Sequence, residues 1–422
     1  MKAVQRISKW VAYLLLPIFI VTCATTNLPP LSLNPKQPLE SDESRIWQRS
    51  AEEQRKLDKS RKVVSDPLLE EYLNDIGRRL TPPSLKGSER LTFQFKVIQD
   101  TALNAFAYPN GKIYVHSGLI ARVENEAQLS AVLAHEMTHS INRHAVRAVR
   151  DQRNKRWWYV GGIIALSILI AYLTGQRLEE GDLVGASLLN NTARILVGLG
   201  LPLAIMASIN GYSRGLEGEA DDGGMKLLAR AGYDINEAPK VFELFQKTYG
   251  DSTAAENFFF GSHPRNSDRI SSYKSLLAGR YARVAKETGR ITDSRDFQLR
   301  RRVIIRENAL ADLRAGRFNV ARAALDKVLA FTPNDPMAHY YYGEIHRLSD
   351  KSPEGDRQAL ARYRKAVKLD PQLAAPYRAM GLLYYKRGKK EEAKKAFRRY
   401  LDLEPKAKER NQIKDYILEL GS

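Results

Sequence analysis

A single cysteine, Cys23, excludes any disulfide within the chain. Histidine is also scarce, at seven in 422 residues, so two of them at a metal-binding spacing carry information. Acidic side chains are in deficit: 48 Asp and Glu face 67 Lys and Arg, a formal charge of +19. Such a surplus fits an anionic neighbour, such as a lipid surface or an acidic protein, or simply a solvated basic surface. No nucleic-acid-binding signature accompanies it, and no nucleic-acid partner is expected. Hydrophobic residues at 43% and charged residues at 27% exclude a disordered chain and a many-span membrane protein. The length fits two or three domains.

Long apolar runs occur in three places. Trp10 to Thr22 is too short to span a bilayer comfortably; it follows a basic start at Lys2, Arg6 and Lys9 and ends on Cys23. This resembles a bacterial lipoprotein signal, in which the cysteine becomes the lipidated first residue, although Thr22 stands where a smaller residue is usual. Export, periplasmic location and membrane association through a lipid are expected. Trp157 to Gly175 has no charge, and Leu183 to Ile209 is interrupted by Asn190-Asn191, Arg194 and Pro202. Together 157–209 reads as an apolar hairpin, either packed on its own domain or dipping into the membrane. The basic residues from Arg143 to Arg156 before it suit anionic head groups.

Between these landmarks, residues 24–44 carry Pro29, Pro30, Pro35 and Pro38 and read as a flexible tether after a signal at 1–23. Leu68, Leu69, Tyr72, Leu73, Ile76 and Leu80 recur at helical spacing, and Leu91 to Val97 alternates like a strand. Pro109-Asn110-Gly111 predicts a hairpin turn between Ala105-Phe106-Ala107 and Ile113-Tyr114-Val115. Asn125 and Gln128 form a plausible capping box for a helix free of Gly and Pro as far as His144. Near the C-terminus Pro333, Pro371 and Pro405 close three units, with Gly343 and Gly381 where helices approach closely and Tyr363 and Phe397 filling the gaps. The units resemble tetratricopeptide repeats over 302–405, with a small insertion around Asp350 to Asp356 and a final helix at 406–422. Arg295 to Arg302 reads as a basic junction. Stacked repeats of this kind bind partner proteins in their concave groove.

The chemistry lies in His135-Glu136-Met137-Thr138-His139. On a helix, positions i and i+4 share a face, so two imidazoles reach one zinc ion while Glu136 stands beside the open position as a base. A third ligand is needed, and Glu217-Gly218-Glu219-Ala220-Asp221 offers one. Glu217 and Asp221 are again one helical turn apart, so Asp221 suits the outer N–H of a zinc-bound histidine. Glu219 faces elsewhere. His116 and His144 read as structural or exposed, and His339 and His346 as repeat packing.

That motif, together with Ser213-Arg214, Glu217 to Asp221, Ser262-His263-Pro264 and Arg269-Ile270, resembles the zinc endopeptidase family that includes HtpX and the CAAX prenyl endopeptidase. The likeness covers roughly residues 40 to 280. A signal and trailing repeats point to its BepA-like periplasmic branch. The resemblance implies zinc on His135, His139 and Glu217, catalysis by Glu136, and a role for His263 in assisting the transition state or plugging the fourth metal position. It also implies that Asn104, Ala105, Phe106 and Ala107 form a cleft-edge strand for protein or peptide substrates. The expected fold is α+β and mostly α: a gluzincin metallopeptidase domain at 45–285, then an all-α repeat domain. The expected function is zinc-dependent peptide-bond hydrolysis in envelope quality control or assembly. The alternative is a repeat scaffold or chaperone with a latent zinc site.

Overall fold

The computed structural model of the protein describes residues 27–60, 63–151, 212–249 and 266–421. The signal with Cys23, the apolar hairpin at 157–209 and His263 lie outside the described residues. Residues 27–40 differ from the loose tether suggested by their prolines. Leu28 and Leu31 are buried, and Leu31 N donates to Ile141 O at 2.8 Å.

Two helices follow, α1 (Ser41–Asp58) and α2 (Pro67–Leu80). Asp66 caps α2 by accepting from Leu69 N at 3.1 Å, with Pro67 in the first helical position where its missing N–H costs nothing. Leu69, Leu73, Ile76 and Leu80 form its buried stripe. The sheet has three strands, β1 (Gln94–Ile98), β2 (Ala105–Ala107) and β3 (Lys112–His116), in the order β1-β3-β2. β2 and β3 form the expected antiparallel hairpin, and β1 lies parallel to β3. Gly111 closes the turn at φ 88°, and a Cβ there would also meet Thr92 O at 2.6 Å. Gln54 of α1 grips Asn110 of the turn through both amide groups, at 2.7 and 3.1 Å.

After the short helix α3 (Ser117–Arg122) comes α4 (Glu126–Ile141), which carries the two histidines. Asn125 accepts from Gln128 N at 2.9 Å, but Gln128 Oε1 returns the bond to Glu124 N, at 2.8 Å, one residue earlier than a capping box requires. The helix stops at Ile141, short of His144. Arg143 adopts φ 59°, a left-handed conformation that costs a residue with a Cβ about 1–2 kcal/mol. The guanidinium offsets this with a two-point ion pair to the buried Glu43 of α1, with Nε–Oε1 at 2.9 Å. Residues 144–151 then start a new helical segment.

Among the described residues, helices α5 (Arg214–Ala231), α6 (Ala238–Tyr249) and α7 (Asn266–Ala278) follow in the first domain. The repeats pair α8 (Arg295–Arg314) with α9 (Phe318–Phe331), α10 (Pro336–Ser349) with α11 (Pro353–Leu369), and α12 (Ala374–Lys386) with α13 (Lys390–Leu403). A last helix, α14 (Arg410–Glu419), packs on the end. A Cβ on Gly343 would lie 2.4 Å from the Tyr363 ring, and one on Gly381 2.4 Å from Phe397, so glycine sets the closeness within each pair. The insertion in the second unit lengthens α11 to 17 residues, against 14 in α13, instead of bulging as a loop. The basic junction is part of α8, which Ser294 caps by accepting from Phe297 N at 3.1 Å. One apolar core runs from Leu31 to Ile345 across the domain boundary, and a second begins at Ala359.

Candidate metal centre

Ser213 starts α5 by accepting from Leu216 N, which sets Glu217 in the first turn, facing α4. Gly224 lets the two helices approach: a Cβ there would sit 3.2 Å from His135 N. The consequence is convergence. His135 Nε2 and His139 Nε2 are 2.9 Å apart, and Glu217 oxygens lie 3.4 Å from the first and 3.6 Å from the second. Each of the three residues offers a ligand atom, all within 4.8 Å of one another, a group that could hold a metal ion. Two imidazole nitrogens and a carboxylate oxygen make a donor set that fits a catalytic divalent metal.

Outer contacts orient both imidazoles. Asp221 Oδ1 lies 3.0 Å from His135 Nδ1, as the spacing in the sequence suggests. Arg269 of α7 bonds Asp221 as well, sits 3.7 Å from Glu217 and rests over the Phe242 ring at 4.0 Å. Burial raises the Asp221 carboxyl, but Arg269 and His135 more than offset this and hold it below its ordinary value. On the other side His144 Nδ1 is 2.9 Å from His139 Nδ1, and Tyr212 stacks on His139 at 4.1 Å. Burial lowers His144 to about 4, against the pull of Glu219, so the ring is neutral at pH 7.

Glu136 follows His135 and points beside the cluster. Burial, with a smaller push from Glu217, raises its pKa to about 7, while His135, Arg269 and a backbone hydrogen bond from Ala107 pull the other way. Ala107 belongs to β2, one of the two edge strands of the sheet. Along that edge Asn104, Ala105 and Ala107 are buried and Phe106 is half-buried.

The family model for peptidase family M48 matches residues 67–277, half of the chain. This chain belongs to peptidase family M48. Models for tetratricopeptide repeats match residues 306–374 and 357–406 of the same chain. The beta-barrel assembly-enhancing protease of Escherichia coli K12 is 32% identical over 200 residues, 45% of this chain and 35% of that protein. Mitochondrial metalloendopeptidase OMA1 of Schizosaccharomyces pombe is 29% identical over 217 residues, 51% of this chain and 55% of that protein. OMA1 of Arabidopsis thaliana is 32% identical over 181 residues, 43% of this chain and 31% of that protein. The chain thus spans about a third to a half of the length of these relatives.

Within the M48 domain, His135, Glu136, His139, Glu217 and Asp221 come together, and Ala107 joins them through its hydrogen bond to Glu136. His144 is buried against a candidate ligand, a role that its sequence position hides. A continuous helix would place it about 140° around from His139, and the turn at Arg143 brings it back. The sequence pattern marks Arg269 without giving it a task, and the structure supplies one. Among the described residues, no helix is long and apolar enough to cross a membrane.

Proposed function

We propose that this protein is a zinc-dependent endopeptidase that hydrolyses peptide bonds in protein clients, working in envelope protein quality control or assembly. The observation that carries the reading is the convergence of His135, His139 and Glu217 from two helices, with Glu136 beside them. His135, His139 and Glu217 would hold zinc, which would supply Lewis-acid chemistry to the attacking water and the carbonyl. The remaining steps belong to the chain. Glu136, fixed by the Ala107 N–H, takes the proton of the attacking water on its carboxylate and delivers it to the leaving nitrogen. Asp221, in contact with His135 Nδ1, holds that ring in the tautomer that leaves Nε2 for the metal. His263 is assigned either help to the transition state or a plug over the metal. An extended client segment would lie along Asn104 to Ala107.

The basic start, apolar run and Cys23 support export to the periplasm and a lipid anchor. The apolar residues at 157–209 support a hairpin over the cleft or in the membrane, and the repeats support partner proteins in their groove. The name beta-barrel assembly-enhancing protease, carried by several relatives, supports a place in envelope assembly.

One observation favours a second reading, a repeat scaffold or chaperone with a latent site: His135, Glu136, His139 and Glu217 are each only 2% exposed. Zinc stoichiometry, with casein cleavage by wild type and Glu136→Gln, decides between them. Cleavage that falls by at least about a hundredfold in the variant supports the enzyme. Equal cleavage by both removes Glu136 from its role, and a zinc-loaded protein that cleaves nothing supports the scaffold.

A further inference from the structure

We propose that His144 is a positioning residue for the metal centre: it accepts the Nδ1 proton of His139 and ties that ring to Glu219 and Arg147. The inference rests on the metal reading above and adds residues to it. With His139 Nε2 turned toward His135 Nε2 and Glu217, its proton must sit on Nδ1 for Nε2 to serve as a ligand. The group facing Nδ1 is His144 Nδ1 at 2.9 Å, which must then be the acceptor. This puts the His144 proton on Nε2, where Glu219 Oε2 receives it at 3.3 Å. Glu219 is held in turn by two bonds from Arg147, at 2.6 and 2.9 Å. Each step fixes the tautomer of the next, from an exposed ion pair inward to the ligand.

Helix α5 thereby serves both imidazoles. Glu217 turns inward as a ligand, Asp221 backs His135, and Glu219, two residues from each, backs His139 through His144. The relay exists only because the chain reverses at Arg143. The buried Glu43 pair that stabilises that turn is thus part of what places His144.

The test is zinc affinity of the full chain, measured by competition with a fluorescent chelator, alongside thermal melting of the metal-free proteins. His144→Leu removes the acceptor and should weaken zinc binding about 10- to 100-fold, the usual cost of losing an outer partner. His144→Asn places an amide oxygen near the lost Nδ1 and should stay within about threefold of wild type. Glu219→Ala alters only a half-exposed side chain, so it should fold normally and lose about 3- to 10-fold. Wild-type affinity in His144→Leu, or equal losses in the Leu and Asn variants, would overturn the proposal. If His144→Leu does not fold, unchanged affinity in Glu219→Ala overturns it instead. A wild-type chain that binds no zinc would overturn the metal reading itself, and this inference with it.

Discussion

Gly224 stands where the helix bearing Glu217 crosses the helix bearing the two histidines, and alanine there tests what sets the spacing of the site. A Cβ would lie 3.2 Å from His135 N and 3.3 Å from His135 Cα. Those neighbours are backbone, so no side chain can turn aside; the helices must part by a few tenths of an ångström. Alanine gains about 1 kcal/mol over glycine in helix propensity. Overpacking costs about 1–3 kcal/mol, so the variant should lose up to about 2 kcal/mol of stability. The effect on the metal should be more specific, because ligand distances tolerate only about 0.2 Å. We expect zinc affinity to fall about tenfold, which is ~1.4 kcal/mol. Gly218→Ala is the control: it lies in the same helix, yet a Cβ there would meet nothing within 4 Å. It should stabilise the protein by about 0.5–1 kcal/mol and leave zinc affinity unchanged. Calorimetric melting of the metal-free chains and chelator competition give both quantities. A Gly224→Ala protein as stable as wild type, with equal zinc affinity, would show that this crossing does not set the ligand spacing.

Arg269→Met leaves the buried carboxylates of Asp221 and Glu217 without their shared cation and should cost about 3–5 kcal/mol in the metal-free protein. Zinc loading or a second change, Asp221→Asn, should recover part of it, and a melting loss below about 1 kcal/mol would sink the assignment. Burial raises Glu53 to about 7 from 4.5, so the folded state holds its proton longer than the unfolded chain does, and its effect on stability becomes unfavourable as pH rises from 4.5 through 7. Glu53→Gln should therefore gain on wild type by roughly 1 kcal/mol between pH 4.5 and pH 8, after discounting for the solvent that reaches the group. A stability difference that is the same at both pH values would refute this.

What could be read from the sequence is what local geometry dictates. Helical spacing alone puts His135 with His139 and Glu217 with Asp221 on common faces, and the structure brings these faces together. The repeats are equally legible, because Gly343 and Gly381 can be read as contact points without knowing the partner element. What escaped is set by pairs far apart in sequence. Nothing between Asn125 and His144 breaks a helix, and the turn at Arg143 is held by Glu43, one hundred residues earlier. The prolines at 29–38 promise a tether, yet Leu31 inserts beneath the end of α4. His144 and Arg269 take their places only once these long-range contacts exist.

Contacts distant in sequence also build the joint between the domains. Arg301 of α8, buried and resting over Phe297, donates to the backbone oxygens of Ile120, Val123 and Glu124 at the end of α3. Gln298 also reaches Glu124 O, at 3.3 Å, and the Glu124 N–H is bonded to Gln128 of α4. Asp312 of α8 accepts from Arg122 of α3 at 3.1 Å and from Arg317 at 2.7 Å. The first repeat is thus tied to the residues that cap the histidine helix, and the two share one apolar core. The apolar cores divide between Ile345 of α10 and Ala359 of α11, yet Gly343 of α10 lies against the Tyr363 ring and Tyr340 packs on the second core, so these helices join the two cores.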